Sequence, residues 1–454
     1  MNALVMSIPA VNQAVNQAVQ PAAVEDIFVD DTWWIALIKA VFIVVFLIVS
    51  VILGLWVERR LIGRIQTRPG PNVRGPLGLF QALGDAGKLI FKEDFWLRGA
   101  DTLIYLLAPI ISATTAFAVF GSIPFGPVVN IFGISTPLQL FDSSVTVLII
   151  LAITSVGVYG IVLGGWSANS PYPLLGAVRS TAQIISYELA MGLSLVSVFL
   201  VSGSMSTSEI VEAQSSVWWC FTLLPAFIIY MISVFGETNR LPFDLTECEG
   251  ELVAGYMTEY SSMKFAWYYL AEYINMFNVS AVAVTLFLGG WRAPFGLSLV
   301  NDGMFNEGFW PMLWFLGKLW VLFATFVWVR GTLVRFRYDQ FMNFGWKRLI
   351  PIALLWLVAV AVIQAFVQFS AVEVDKLMIG IAAVCLVAFV ILWFVPEKKP
   401  APPPIEGAFD PMAGGFPVPP MPGQVLPPSP RAGRMKVAHA ITPAALGDKE
   451  GHNE

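Results

Sequence analysis

Between Phe235 and Tyr260 the chain reads FGETNRLPFDLTECEGELVAGYMTEY, a stretch that carries Glu237, Asp244, Glu247, Glu249, Glu251 and Glu259. The whole sequence has 31 acidic residues, so six of them within 26 positions is a concentration that needs a cause. Long apolar runs flank the stretch on both sides. Charge beside or inside hydrocarbon is expensive unless it is hydrated, paired or neutralised. The block is therefore either a solvated loop or the lining of a water-filled cavity. At helical spacing Asp244, Glu247 and Glu251 fall within about 60° of one another, whereas Glu249 faces away. Three such groups on one face repel when ionised and take up or release protons as a set. A loop kept only for solubility needs no proline and aromatic between its charges, and the NRLPFD element weighs against that reading.

A second chemical position lies in the run VRSTAQIISYELAMGLSLVSVFLV. Glu188 follows Arg179 by nine residues, roughly 13 Å deeper along a helix. That depth is near the middle of a hydrocarbon core about 30 Å thick. Ionisable groups there are by default functional candidates, proton relays above all; the bland alternative is a structural hydrogen bond to a neighbouring helix. Lys39 and Lys318 sit a turn or two inside their helices, where snorkelling to the interface explains them.

The elements that must position these groups follow from composition. Of 454 residues, 57% are hydrophobic and 13% charged, with a mean hydropathy of +0.72. This is an all-α polytopic membrane protein; the apolar runs are about twice too long for barrel strands. Nine spans are expected, at about 33–57, 102–123, 143–165, 179–202, 216–236, 274–291, 311–330, 349–369 and 377–395. With the N-terminus outside, the inner segments 58–100, 166–180, 237–273, 330–348 and 396–454 hold 22 of the 26 Lys and Arg. The positive-inside rule then sets the N-terminus out and the C-terminus in. Residues 1–31 lack Lys and Arg, so they make a poor signal peptide and read as an extension on the outer side. Residues 397–454 are rich in Pro and Gly and read as a disordered cytoplasmic tail.

Cys220, Cys248 and Cys385 are far apart, and His439 and His452 both lie in the tail. No thiolate cluster or His-ligated haem or metal in the membrane part is expected, so any redox prosthetic group belongs to partners.

The first inner segment, ERRLIGRIQTRPGPNVRGPLGLFQALGDAGKLIFKEDFWLR, opens with Arg59, Arg60, Arg64 and Arg68 and a PGPN turn. From Pro76 a helix is expected with Leu79, Phe80, Leu83 and Ile90 on one stripe and Gln81, Asp85, Lys88 and Lys92 on the other. It either binds anionic lipid headgroups or roofs a cavity that admits a lipid-soluble substrate, its glycines allowing close backbone approach.

Three segments together, ERRLIGRIQTRPGPNVRGPLGLFQALGDAGKLIFKED, RSTAQIISYELA and GETNRLPFDLTECEGELVAGYMTEY, resemble the H subunit of respiratory complex I. The bacterial protein is the counterpart of mitochondrial NADH dehydrogenase subunit 1. The resemblance covers roughly residues 30–370. It implies a bundle of tilted helices, eight in the family core, at the junction of the hydrophilic and membrane arms. Residues 32–370 would form that membrane domain, and 371–396 an additional C-terminal helix. The resemblance further implies a quinone chamber or entrance near Glu58, Arg59, Arg68, Asp85 and Lys88. A carboxylate-lined proton or charge path is implied at Arg179, Glu188, Glu237, Asp244, Glu247, Glu249, Glu251, Glu259 and Glu272. The substrate would be ubiquinone or menaquinone, with no covalent cofactor and no metal in this chain. FMN and iron–sulfur clusters would sit in partner subunits. The partners would be the other complex I subunits and membrane lipids, with no nucleic acid, in a bacterial plasma membrane. The ninth span, the Pro-rich tail and the long N-terminus depart from the family pattern. A related subunit of a membrane-bound hydrogenase and a free-standing ion or solute transporter are the alternatives. Quinone dependence separates the first of these, and activity of the isolated chain in liposomes the second.

Overall fold

A computed structural model describes residues 32–131, 134–215, 217–244, 254–294 and 308–369, together with Gly380. Runs of apolar residues with few charges build the helices α1 (Trp33–Ile65), α3 (Thr102–Phe120), α4 (Thr146–Ser167), α5 (Pro171–Ser202), α9 (Ser262–Phe287) and α10 (Trp310–Thr332). The short α11 (Tyr338–Phe344) runs through a π-type turn, Gly345–Leu349, into α12 (Ile350–Phe369). Among the described residues seven helices are long and apolar enough to cross a membrane, counting α11 and α12 as one. The chain is a helical, multi-spanning membrane protein. The expected ninth span, the extension 1–31 and the tail lie outside the described residues.

The fifth span departs from its expected form. Instead of one helix over 216–236, the chain makes α7 (Trp219–Thr222) and then α8 (Leu224–Glu237), with Leu223 out of helical conformation between them. Pro225 is the physical reason: it has no N–H to continue the ladder back to the Phe221 carbonyl, and its ring crowds that carbonyl, so it stands in the first turn of a new helix. The sixth span is α9, which begins at Ser262, twelve residues before the expected start at 274. Its first half carries Lys264 and Glu272, which lowers its hydropathy, but both groups are ion-paired inside the protein. Among the seven described spanning helices α9 is the most enclosed, with 83% of its apolar stretch buried.

The bundle around α9 is knit by small residues, as helices in lipid generally are. Helix α4 meets α3 and α5 through glycines: a Cβ on Gly160 would clash with Ser112 Oγ, and one on Gly165 with the Ala177 methyl. Helix α1 has 33 residues, about 50 Å of rise, so it must tilt or project beyond a core of about 30 Å. One stripe of it, with Ile35, Ile43, Leu47 and Val51, is buried, while Leu37, Ile38, Val41 and Val45 are exposed. Between α3 and α4 a hairpin of β1 (Val128–Ile131) and β2 (Ile134–Pro137) closes one end, an addition to the expected all-helical plan. Beside it, the buried Asp142 carboxylate accepts the hydroxyls of Thr146 and Ser206 at 2.6 and 2.8 Å and joins α4 to α6 (Thr207–Ala213).

The first inner segment forms a 3-10 turn, Pro76–Gly78, and then helix α2 (Phe80–Phe91). Pro76 therefore starts the turn, not the helix. Gly75 and Gly78 have φ of 74° and 78°, and a Cβ there would strike the Phe80 ring and the Pro71 carbonyl. Gly84 and Gly87, in contrast, face open space. Phe80, Leu83 and Ile90 on α2 are exposed.

Lys318 reaches towards the end of α9. Its ammonium donates to the carbonyls of Leu288, Gly290 and Arg292 at 2.6, 3.0 and 2.7 Å, and lies 4.2 Å from the Trp218 ring centre. It satisfies carbonyls left open where α9 ends.

Candidate functional site

Four ionisable side chains from four segments meet near the ends of α1 and α10 and the middle of α9. Glu58 is buried on the last turns of α1. Arg330, on the last turn of α10, pairs with Glu58 Oε1. Arg240, in the loop after α8, lies 3.9 Å from the same oxygen and places Nε 2.9 Å from Glu272 Oε1 on α9. The Tyr273 hydroxyl donates to Glu58 Oε2 at 2.5 Å and accepts from Tyr269 at 3.2 Å. The Arg240 guanidinium also lies 4.3 Å from the centre of the Tyr273 ring. Two carboxylates and two guanidinium groups balance, which is what lets them be buried together. Burial alone would pull Arg240 down, but Glu272, with Tyr273 and Glu58, more than offsets this and holds it well above its ordinary value.

From this cluster a polar cavity of about 70 Å³ leads inward. Glu272 and Glu237 both line it, with Thr115, Thr154 and Asn275 among its polar walls. Three further wall atoms, Ser112 Oγ, Glu237 Oε2 and Asn239 Oδ1, are buried without a hydrogen-bond partner among the described residues. Buried polar atoms left so are costly, and a polar space of this size has room for water to satisfy them. Glu237 is the last residue of α8, and on its other side it borders a small cavity of about 20 Å³ lined mostly by apolar side chains. Glu188 interacts with Glu237 electrostatically and accepts the Ser155 hydroxyl from α4. Glu58, Arg240, Glu272, Glu237 and Glu188 thus form a discontinuous line of charged groups from the end of α1 into the bundle.

Past the end of α1 lies a separate cleft of about 590 Å³ bordered by Arg59, Arg68, the Pro69–Val73 turn and Gln81. Arg59 pairs with Asp85 of α2 at its edge. Arg60 donates to the Leu77 carbonyl at 3.0 Å and stacks over Trp56 at 5.3 Å. These bonds hold the turn against the end of α1. Lys88 is exposed on α2.

A family model described as NADH dehydrogenase matches residues 38–361. That range contains every charged group of the line. A protein from Streptomyces avermitilis, named as the H subunit of NADH-quinone oxidoreductase, is 51% identical over 419 residues, covering 90% of this chain and 92% of its own. The chain belongs to the NADH dehydrogenase family.

Within this family member the remaining expected residues fall in separate places. Asp244 is buried, and its Oδ2 lies 3.5 Å from Arg335. Glu247, Glu249 and Glu251 lie outside the described residues, and with them the helical face expected for Asp244, Glu247 and Glu251. Arg179 stacks over Tyr338 at 4.8 Å, whereas Glu188 bonds to Ser155, so the two residues of the expected fourth-helix pair have different partners. The Glu259 backbone carbonyl, partly buried, accepts the Tyr105 hydroxyl at 2.7 Å within an aromatic cluster.

Sequence reasoning missed Arg240, Arg330, Tyr273 and Ser155. Arg240 stood inside the NRLPFD element, and its position among six carboxylates was a usable signal. Arg330 entered only the count of inner charges. Nothing local singles out Tyr273 or Ser155.

Proposed function

We propose that this chain is the membrane-embedded H subunit of a proton-pumping NADH:quinone oxidoreductase. It forms part of the quinone chamber and couples quinone reduction to proton translocation. The observation that carries the reading is the succession of ionisable groups from Glu58 through Arg240 and Glu272 to a cavity shared with Glu237, with Glu188 beyond. A change of charge at the Glu58 end alters the field at Arg240 and Glu272, because in low dielectric one charge perturbs the next strongly. The cavity's orphaned polar atoms favour water there, and water lets a proton pass between Glu272 and Glu237.

Quinone enters this reading as substrate. The cleft of Arg59, Arg68 and the Pro69–Val73 turn has the size of a small-molecule site. Its guanidinium groups suit the carbonyl oxygens of a ring whose isoprenoid tail remains in lipid. FMN and iron–sulfur clusters would be carried by hydrophilic partner subunits, and other membrane-arm subunits would receive the charge signal. The lysine and arginine distribution supports an N-terminus outside and a C-terminus in the cytoplasm. Residues 32–370 would be the family domain, with the extension, the ninth helix and the tail as additions.

The test is Glu237→Gln in the assembled complex in proteoliposomes. NADH-driven quinone reduction and acidification of the lumen are followed together. The expected outcome is strong loss of acidification with a correctly assembled complex. Full pumping at normal quinone turnover would overturn the carboxylate path.

A further inference from the structure

One polar side chain in the core belongs to none of the groups above. Gln183 lies on α5, fully buried, five positions before Glu188. Its Nε2 donates two hydrogen bonds, to the Gly236 carbonyl at 2.7 Å and to the Phe243 carbonyl at 2.9 Å. Those carbonyls stand at the two ends of the segment 236–243, which carries Glu237, Asn239 and Arg240. A carboxamide nitrogen has two hydrogens to donate, and both are used. The Oε1 of the same amide is buried without a hydrogen-bond partner among the described residues. Turning the amide over would aim its oxygen at two carbonyl oxygens, so the loop fixes this orientation.

The segment itself needs a brace. Asn239 has a φ of 50°, in the left-handed region that few residues other than glycine enter. The Arg240 carbonyl accepts the Phe243 N–H at 2.8 Å, so the residue that receives one Gln183 bond is itself bonded to the backbone of Arg240. At the other end, a Cβ on Gly236 would clash with the ring of Tyr187, which lies one helical turn beyond Gln183 on the same face of α5. Tyr187 also packs beside Phe243, with ring centres 5.8 Å apart. Both ends of the segment thus rest on one face of α5, and the Gln183 amide binds both. It is one hydrogen bond from the residue before Glu237 and two from the backbone of Arg240.

We propose that Gln183 is a positioning residue for the coupling of quinone reduction to proton movement. The proposal rests on the carboxylate reading above and names what aligns its parts. Gln183 touches neither the quinone cleft nor a carboxylate of the line. It holds Arg240 beside Glu58 and Glu272 while it holds Glu237 and Asn239 at the cavity wall, so a change of charge in the cluster is felt at the cavity. In low dielectric that influence depends on how far apart the charges are held. A carboxamide suits the task because it stays uncharged and adds no charge of its own to the field it aligns. Its unpaired oxygen is unfavourable in a buried place, and an apolar side chain of the same shape would avoid it. The two donated bonds, and the loop shape they impose, are what such a side chain would lose.

The test uses the assembled complex in proteoliposomes with two variants. Gln183→Met keeps the shape and loses both donors; Gln183→Asn keeps the amide but is a methylene too short to span both carbonyls. Protons translocated per quinone reduced, the quinone KM and the melting temperature are read together. The expected result is a several-fold fall in the proton-to-quinone ratio in Gln183→Met and a smaller fall in Gln183→Asn. The quinone KM should stay unaltered in both, because Arg330 and Tyr273 still hold Glu58. Ser186→Ala is the structural control: it removes the 3.0 Å bond from Trp346 Nε1, which ties α5 to a neighbouring segment away from the loop. It should keep the parental ratio even if its melting temperature falls. A parental ratio in Gln183→Met, or in Gln183→Asn where Gln183→Met does not assemble, would overturn the positioning role. So would a fall that Ser186→Ala reproduces in full, or failure of both Gln183 variants to assemble, which would make the amide a folding residue only. Glu237→Gln in the same assay separates the levels. If it abolishes pumping while the Gln183 variants keep the ratio, only the positioning role fails; if it pumps normally, the carboxylate reading and the positioning role fail together.

Discussion

Arg240 Nε lies 2.9 Å from Glu272 Oε1, which joins the loop after α8 to the middle of α9 through a buried ion pair. The same guanidinium faces Glu58 and the Tyr273 ring. One cation therefore holds two carboxylates, and its removal should be felt by both. Replacing Arg240 with Met leaves buried charge uncompensated, at a cost of about 3–5 kcal/mol. The expected outcome is poor assembly or a clear fall in the thermal stability of the complex. Arg240→Lys should recover only part of it, since an ammonium lacks the planar fork that spans two partners. Equal stability of Arg240→Met and the parent complex in a thermal melt would count against the pair.

Tyr273→Phe separates ring from hydroxyl. The ring stays beneath Arg240, while Glu58 Oε2 loses its donor. Hydrogen bonds to charged groups contribute about 1.5–3 kcal/mol. The complex should assemble, with a raised KM for a short-chain quinone. An unchanged KM would uncouple Glu58 from the quinone side.

Ser155 and Glu188 form the inner end of the line. Glu188→Gln keeps a hydrogen-bonding side chain but cannot ionise, so pumping should fall while quinone binding persists. Ser155→Ala should give a milder loss, since the carboxylate remains. If Glu188→Gln pumps normally at full quinone turnover, Glu188 has only a structural hydrogen bond to offer.

Gly160 tests the packing. A methyl there would clash with Ser112 Oγ and come within 2.9 Å of the Ala108 carbonyl. Overpacking of this kind costs about 1–3 kcal/mol, and it would also crowd the cavity wall at Ser112. Gly160→Ala should lower the melting temperature, whereas Gly192→Ala, which faces open space, should not.

The orientation has its own measurement. A protease-cleavable tag after Glu454 should be digested in inside-out membrane vesicles and protected in intact cells after removal of the outer barrier. The reverse pattern would invert the whole reading of sides.

Much of this protein was determined by its sequence alone. Long runs of apolar residues with few charges dictate membrane helices, because backbone polar groups in lipid must be satisfied within the segment. The crowding of Glu237, Asp244 and their neighbours marked the chemical stretch, and Glu188 stood out by depth. These are local properties, readable from spacing.

What only the tertiary structure decided is pairing. Glu58 and Arg330 are 272 positions apart, and Tyr273 is 215 from Glu58. Only the packing of α1 against α9 and α10 makes them neighbours. The start of α9 at Ser262 depends on pairing in the same way: Lys264 and Glu272 read as polar in a hydropathy window, yet Asp94 and Arg240 neutralise them from distant segments. The carbonyls that Lys318 meets at the end of α9 likewise come from a distant segment. Hydropathy assigns each side chain an energy as though it met lipid or water. Inside this bundle the charged groups meet one another, and the energy of a pair belongs to no single position in the chain.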